Sequence, residues 1–180
     1  MKVTATALPG VLVVEPRVFG DDRGFFFESW NARALADAGI GAAFVQDNHS
    51  RSRRGVLRGL HYQIEHAQGK LVRVVIGEAF DVVVDLRRGS PTFGQNLGIS
   101  LSADNRKMLW VPPGFAHGFL AVSDSVDFLY KTTDYWHAQH ERTLLWNDPA
   151  LGIAWPLGGE PILAAKDAAG TPLAQAELYP

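Results

Sequence analysis

The sequence predicts one mainly-β domain, a jelly-roll sandwich with a few short helices. Three observations predict it: short apolar segments alternate with period two, turn-forming Gly, Pro, Asn and Asp recur between them, and helical patterning is scarce. A chain of 180 residues fits a single domain spanning 1–180 and is long enough to bury its own core. With 47% hydrophobic and 20% charged residues, the balance is that of a globular protein rather than a disordered one.

The elements follow in chain order. Val11–Val14 is a first strand candidate, rich in β-branched residues. Residues 30–38 are the best helix, with Ser29 or Asn31 as cap and Gly39 as stop. Leu71–Ile76 is extended. In Phe80–Leu86, alternation sets Phe80, Val82, Val84 and Leu86 on one face. A turn at Arg88–Pro91 leads to Leu97–Leu101, which alternates in the same way. Met108–Val111 and Gly118–Val122 flank the Pro112–Gly114 turn. Val126, Phe128 and Tyr130 share one face of the next strand, Asp148-Pro149 marks a further turn, and a second short helix is expected near the C-terminus.

The N-terminus lacks the charged-then-apolar layout of a signal peptide, and no apolar run is long enough for a membrane span, so a cytoplasmic protein without membrane contact is expected. Zero cysteines exclude disulfides and thiolate ligands; any metal would need His, Asp or Glu. The net charge of −2 argues against a nucleic-acid coat. Charge is uneven, however. Residues 49–73 hold six cationic residues against Glu65 alone, a local +5 that suits a small polyanion such as a diphosphate. For Arg51, Arg53 and Arg54 a solvated basic loop is the simpler reading; Arg58 differs because it sits in a strand-like segment near a histidine.

That histidine, His61, is the side chain best suited to move protons near neutral pH, and cationic neighbours Arg58 and Lys70 should favour its neutral form. Strict alternation puts Arg58 and His61 on opposite faces, so both reach one cavity only if Gly59 marks a bulge or bend. Lys70 opens a strand, where a lysine is usually solvated; in a site that makes an enolate it would supply the stabilising charge. Tyr130 reads either as a half-buried core residue or as a proton donor across from His61. His117 ends a tight turn, as one ligand does in metal-binding cupins. Those also need His-x-His followed by Glu, and here Gln63 replaces the second His while Glu65 comes too early, so no metal is expected. Arg23 could fork onto a phosphate. Gln46 and Asn48 project to one face, suited to sugar or base groups. An aspartate in Lys166-Asp167 could orient His61, although spacing does not pair positions so far apart.

Ten segments taken together resemble the dTDP-4-dehydrorhamnose 3,5-epimerase family: 22–28, 46–50, 55–63, 68–73, 81–87, 90–94, 113–119, 130–132, 146–149 and 166–167. The resemblance covers about Gly20 to Asp167. It implies a cupin-like double-stranded β-helix, a homodimer, and catalysis with no metal or other cofactor. It implies epimerisation at C3 and C5 of a dTDP-4-keto-6-deoxy sugar, with His61 as base, Asp167 orienting it, Lys70 stabilising the enolate oxygen and Tyr130 returning a proton. Arg23, Glu28, Gln46, Asn48, Arg58, His117, Glu141 and Lys166 match positions that hold the nucleotide and sugar. Trp136 stands where a tyrosine often stacks on thymine. The alternatives are an epimerase of one centre only, a non-catalytic sugar-nucleotide-binding jelly roll, and a metal-dependent cupin oxygenase.

Overall fold

A computed structural model describes residues 1–180. Thirteen strands, two short α-helices and two single-turn 3-10 helices make up the regular structure. The strands are β1 (Lys2–Ala5), β2 (Leu12–Glu15), β3 (Phe19–Asp21), β4 (Gly24–Phe26), β5 (Gln46–Arg53), β6 (Leu57–Gln63) and β7 (Lys70–Ile76). They continue with β8 (Glu78–Asp85), β9 (Asn96–Ser102), β10 (Met108–Val111), β11 (Phe115–Ala121), β12 (Ser125–Thr132) and β13 (Glu141–Thr143). Helix α1 (Ala32–Asp37) is capped by Asn31, whose side chain accepts from Ala34 N, and α2 (Ala165–Ala168) is the expected C-terminal helix.

Two antiparallel sheets form the sandwich, in the orders β1-β2-β10-β7-β12-β5 and β13-β6-β11-β8-β9. A separate hairpin pairs β3 with β4. Val72, Val74, Leu109, Val111, Val126 and Phe128 of the first sheet meet Ala79, Val83, Leu101, Phe115 and Phe119 of the second. The stacked Phe119 and Phe128 rings, 4.2 Å apart, lie within this interior. Full burial of each such side chain contributes about 1.5–3 kcal/mol. The mainly-β jelly-roll expectation holds.

The outer faces are covered as well. Leu35 of α1 and Ile40 pack on Leu71, Met108 and Trp110, while the C-terminal stretch covers Leu60, Tyr62, Val82, Val84 and Leu86. This changes the reading of β8. Its apolar set does share a face, but that face lies under the C-terminal stretch, and the alternate residues Ala79, Asp81 and Val83 face inward and are equally buried. Leu97, Ile99 and Leu101 of β9, and Val126, Phe128 and Tyr130 of β12, face the interior as a set.

The bend needed at Gly59 is present. His61 pairs with His117 and Arg58 with Phe119, so three steps along β6 match two along β11. Gly59 has φ +122°, and a Cβ there would lie 2.6 Å from the Gly118 Cα. A Cβ on Gly118 would lie 2.5 Å from the Arg58 carbonyl oxygen. The two glycines let the backbones touch, and the bulge turns Arg58 and His61 to one side. Gly59→Ala is expected to lower unfolding stability by about 2 kcal/mol or more. Urea denaturation of the variant checks this, and an unchanged midpoint would mean the close approach can relax.

Candidate functional site

Between the sheets, at one end, lies a cleft of about 410 Å³, within the range of small-ligand sites. It is lined by Gln46, Asn48, Arg58, His61, Lys70, His117, Tyr130, Trp136, Glu141, Lys166 and Asp167. Eleven of the thirteen residues expected to form a site therefore meet in one cavity. A larger cavity of about 660 Å³ runs past Arg54, Glu78 and Glu160 and contains none of the thirteen.

His61 and Asp167 form the central pair. They are 106 residues apart in sequence, yet His61 Nε2 lies 2.5 Å from Asp167 Oδ1. Asp167 is 2% exposed, held by the short α2 packed against β6. With Nε2 donating to a carboxylate, the neutral ring keeps its proton there and leaves Nδ1 as the basic nitrogen. Burial holds the His61 pKa below its ordinary value; the Asp167 bond opposes this, and Lys166 and Lys70 add to it. The neutral form expected from the sequence thus follows chiefly from burial, with Lys166 and Lys70 rather than Arg58 as contributing cations.

Lys70 is not the solvated residue usual at a strand entrance. It is 9% exposed, with Nζ 3.4 Å from the His61 carbonyl oxygen. Burial pushes its pKa down to about 8, while Glu141 and Asp81 resist the loss of charge. At neutral pH it remains mostly cationic. Tyr130 packs on the core beside Phe128, its ring half-buried, and its pKa is raised by burial and by Glu141. No protein group is hydrogen-bonded to its hydroxyl, which is therefore free for a ligand.

Polar groups around these are already oriented. Gln46 Nε2 donates to Asn48 Oδ1 at 3.0 Å, and Gln46 Oε1 accepts from Trp136 N at 3.1 Å. Lys166 Nζ donates to both oxygens of Glu141, at 3.1 and 3.0 Å. Arg58 Nε donates to Ser52 Oγ at 3.0 Å. The exposed indole of Trp136 offers a stacking surface at the rim. The basic cluster of residues 49–73, in contrast, is not a compact patch. Arg51 is bound to Asp127 and Arg54 to Asp124, both belong to ordered strand structure or its turn, and Arg73 lines a different pocket. Arg58 and Lys70 are the members of that cluster that reach the cleft.

Arg23 and Glu28 do not join the cleft. Arg23 sits at the tip of the β3–β4 hairpin in an exposed ion pair with Asp21 at 2.5 Å, and Glu28 accepts from Asn31 Nδ2 at 3.1 Å. One residue with a clear place in the site was given no role from the sequence. Asp81 Oδ2 lies 2.8 Å from His117 Nε2, both buried, and its Oδ1 has no hydrogen-bond partner. A carboxylate pointing into the sandwich from the apolar run 80–86 is costly to bury unless it serves a partner, and that anomaly was the available signal. Chemically, the cleft combines a neutral imidazole beside a buried carboxylate, a buried ammonium, and a phenol on the opposite sheet, groups of the kinds that can take up a proton, stabilise an oxyanion and give a proton.

The family model described as dTDP-4-dehydrorhamnose 3,5-epimerase matches residues 5–175. The chain is 62% identical to a dTDP-4-dehydrorhamnose 3,5-epimerase of Pseudomonas aeruginosa, over all of both chains. It is 56% identical to that of Salmonella typhimurium, covering 99% of this chain and 98% of that one. A crystal structure of dTDP-6-deoxy-D-glucose-3,5-epimerase from Legionella pneumophila, in complex with dTDP-4-keto-L-rhamnose, superposes with a TM-score of 0.96 at 49% identity, covering 99% of this chain and 97% of that one. From its residue motifs, its fold and these full-length matches, the chain belongs to the dTDP-4-dehydrorhamnose 3,5-epimerase family.

Proposed function

We propose that this chain is an isomerase that converts dTDP-4-dehydro-6-deoxy-D-glucose to dTDP-4-dehydro-L-rhamnose by inverting C3 and C5, in the synthesis of dTDP-L-rhamnose. The observation that carries it is the His61–Asp167 pair, facing a cleft that also holds Lys70 and Tyr130. Both carbons flank the C4 ketone, so their protons are acidic. His61 takes the proton and Asp167 stabilises the resulting imidazolium. The electron pair moves to the ketone oxygen, where the Lys70 ammonium stabilises the enolate. Tyr130 then gives a proton to the carbon from the other side. Arg58 and Lys166 hold the diphosphate, Gln46, Asn48, His117 and Glu141 hold polar groups of the substrate, and Trp136 stacks on the thymine.

Residues 1–180 act as one domain in this reading, and the working form is a homodimer. The β3–β4 hairpin supports the second point: Phe19, Phe25 and Phe26 are 51, 61 and 67% exposed on it, an apolar surface that a second copy would cover. Arg23 and Glu28, on and just after this hairpin, would then meet substrate through the dimer. The cytoplasm is the compartment proposed, because a charged nucleotide sugar does not cross a bilayer unaided. No helix of the chain is long and apolar enough to cross a membrane.

Incubation with dTDP-4-dehydro-6-deoxy-D-glucose in deuterated water tests the reaction. Deuterium at both C3 and C5 by NMR is expected; label at one carbon would make the chain a single-centre epimerase, and no label would leave a binding protein. Tyr130→Phe is expected to lower kcat by about 10²–10⁴ with little change in KM, since only the hydroxyl is lost. Unimpaired inversion by that variant would move the acid role to water. The pH profile of kcat/KM is expected to be bell-shaped. It rises as His61 loses its proton, at a pH below the ordinary 6.5, and falls as Lys70 loses its own near 8. Activity that stays flat well above that pH would remove the Lys70 charge from the mechanism.

A further inference from the structure

A second cluster of ionisable side chains stands beside the cleft. His66, Asp134 and His137 each bring one ligand atom to within 4.8 Å of the others. His66 follows β6, whereas Asp134 and His137 lie between β12 and β13. The His66 and His137 rings stack with centroids 4.2 Å apart, and His66 Nδ1 stands 3.3 Å from Asp134 Oδ2. His140 is next to them, its ring centroid 5.4 Å from that of His66.

The backbone is braced to hold these side chains together. Buried Gln63 donates from Nε2 to the His66 carbonyl at 2.7 Å and accepts at Oε1 from His137 N at 2.7 Å, so one amide ties both segments. His66 has φ 55°, a left-handed conformation uncommon outside glycine. Asp134 Oδ1 is engaged by Tyr135 N at 2.7 Å, and the Asp134 carbonyl accepts from Gln68 and Thr132, which leaves Oδ2 toward His66. None of the three lines the cleft, and the proposed reaction uses none of them.

We propose that His66, Asp134 and His137 bind one divalent transition-metal ion of the zinc class at the rim of the cleft. Two imidazoles and a carboxylate suit Zn²⁺, Co²⁺ or Ni²⁺, with water or His140 completing the shell. Donors about 2.1 Å from a tetrahedral ion stand about 3.4 Å apart, so atoms now within 4.8 Å of one another must close by up to about 1.4 Å through side-chain rotation. The His66 ring is exposed and the other two side chains half-buried, which leaves room for it. The ion is not catalytic. It would pin the segment 134–141, which carries Trp136 and Glu141, to the end of β6. The proposal rests on this cluster alone and stands independently of the substrate.

The test uses tag-free protein stripped with EDTA, titrated with Zn²⁺ by calorimetry and with Co²⁺ by its visible absorption. One Zn²⁺ per chain is expected, with a Kd on the order of 10 µM. His66→Ala, His137→Ala and Asp134→Asn should each weaken it at least about tenfold. Asp134→Asn keeps the oxygen that caps Tyr135 N, so it separates ligation from folding. His49→Ala, which removes a histidine bound to Asp127, should bind as the parent does. No saturable binding below about 1 mM, or equal affinity in parent and all three cluster variants, would overturn the site.

Discussion

Where Gly59 passes Gly118, two strands run so close that neither position has room for a side-chain carbon. The bulge formed there removes one residue's worth of alternation from β6. Without it, Arg58 and His61 would face opposite sides of the sheet. With it, both point into the cleft, and His61 comes into register with His117. The imidazole of His61, the neighbouring guanidinium and the second histidine are thus positioned by a backbone contact that involves none of their own side chains.

The second constraint is burial. Taking His61 out of water disfavours its protonated form and keeps the ring neutral. The same burial would strip Lys70 of its proton were it unopposed. Glu141 and Asp81 hold the ammonium against that pressure, so its pKa falls to about 8 and not further. One low-dielectric cavity therefore keeps one nitrogen neutral and another charged, which is the division a proton abstraction next to a ketone requires. Lys166, bound to Glu141, pushes both groups toward their neutral forms.

Alternation made the sandwich legible because β9 and β12 each have one inward apolar face. It was a poorer guide where both faces are buried, as in β8, or where a strand is polar, as in β5. The latter carries Gln46 and Asn48 in an almost entirely hydrophilic run, so hydrophobic patterning did not mark it as a strand, although their shared face was correctly read. Local charge counting misled for a related reason. Arg51 and Arg54 are answered by acids more than sixty residues away, which no window along the chain contains. The His61–Asp167 pair lies beyond spacing in the same way, and it was legible only through the resemblance of whole segments to a family.

Inversion of a carbon needs a base on one side and an acid on the other, and the sandwich provides two sides. His61 belongs to the five-stranded sheet, while Lys70 and Tyr130 belong to the six-stranded one. The cleft of about 410 Å³ is lined from both sheets, so a sugar ring seated there would turn one face toward each. In the proposed mechanism a proton lost to His61 and replaced from Tyr130 would therefore arrive from the opposite face, and the centre would invert. Had base and acid come from adjacent strands of one sheet, the same chemistry would exchange the proton and return the original configuration. In the proposed mechanism the stereochemical outcome is a consequence of the architecture, and the catalytic side chains need only be placed on facing strands.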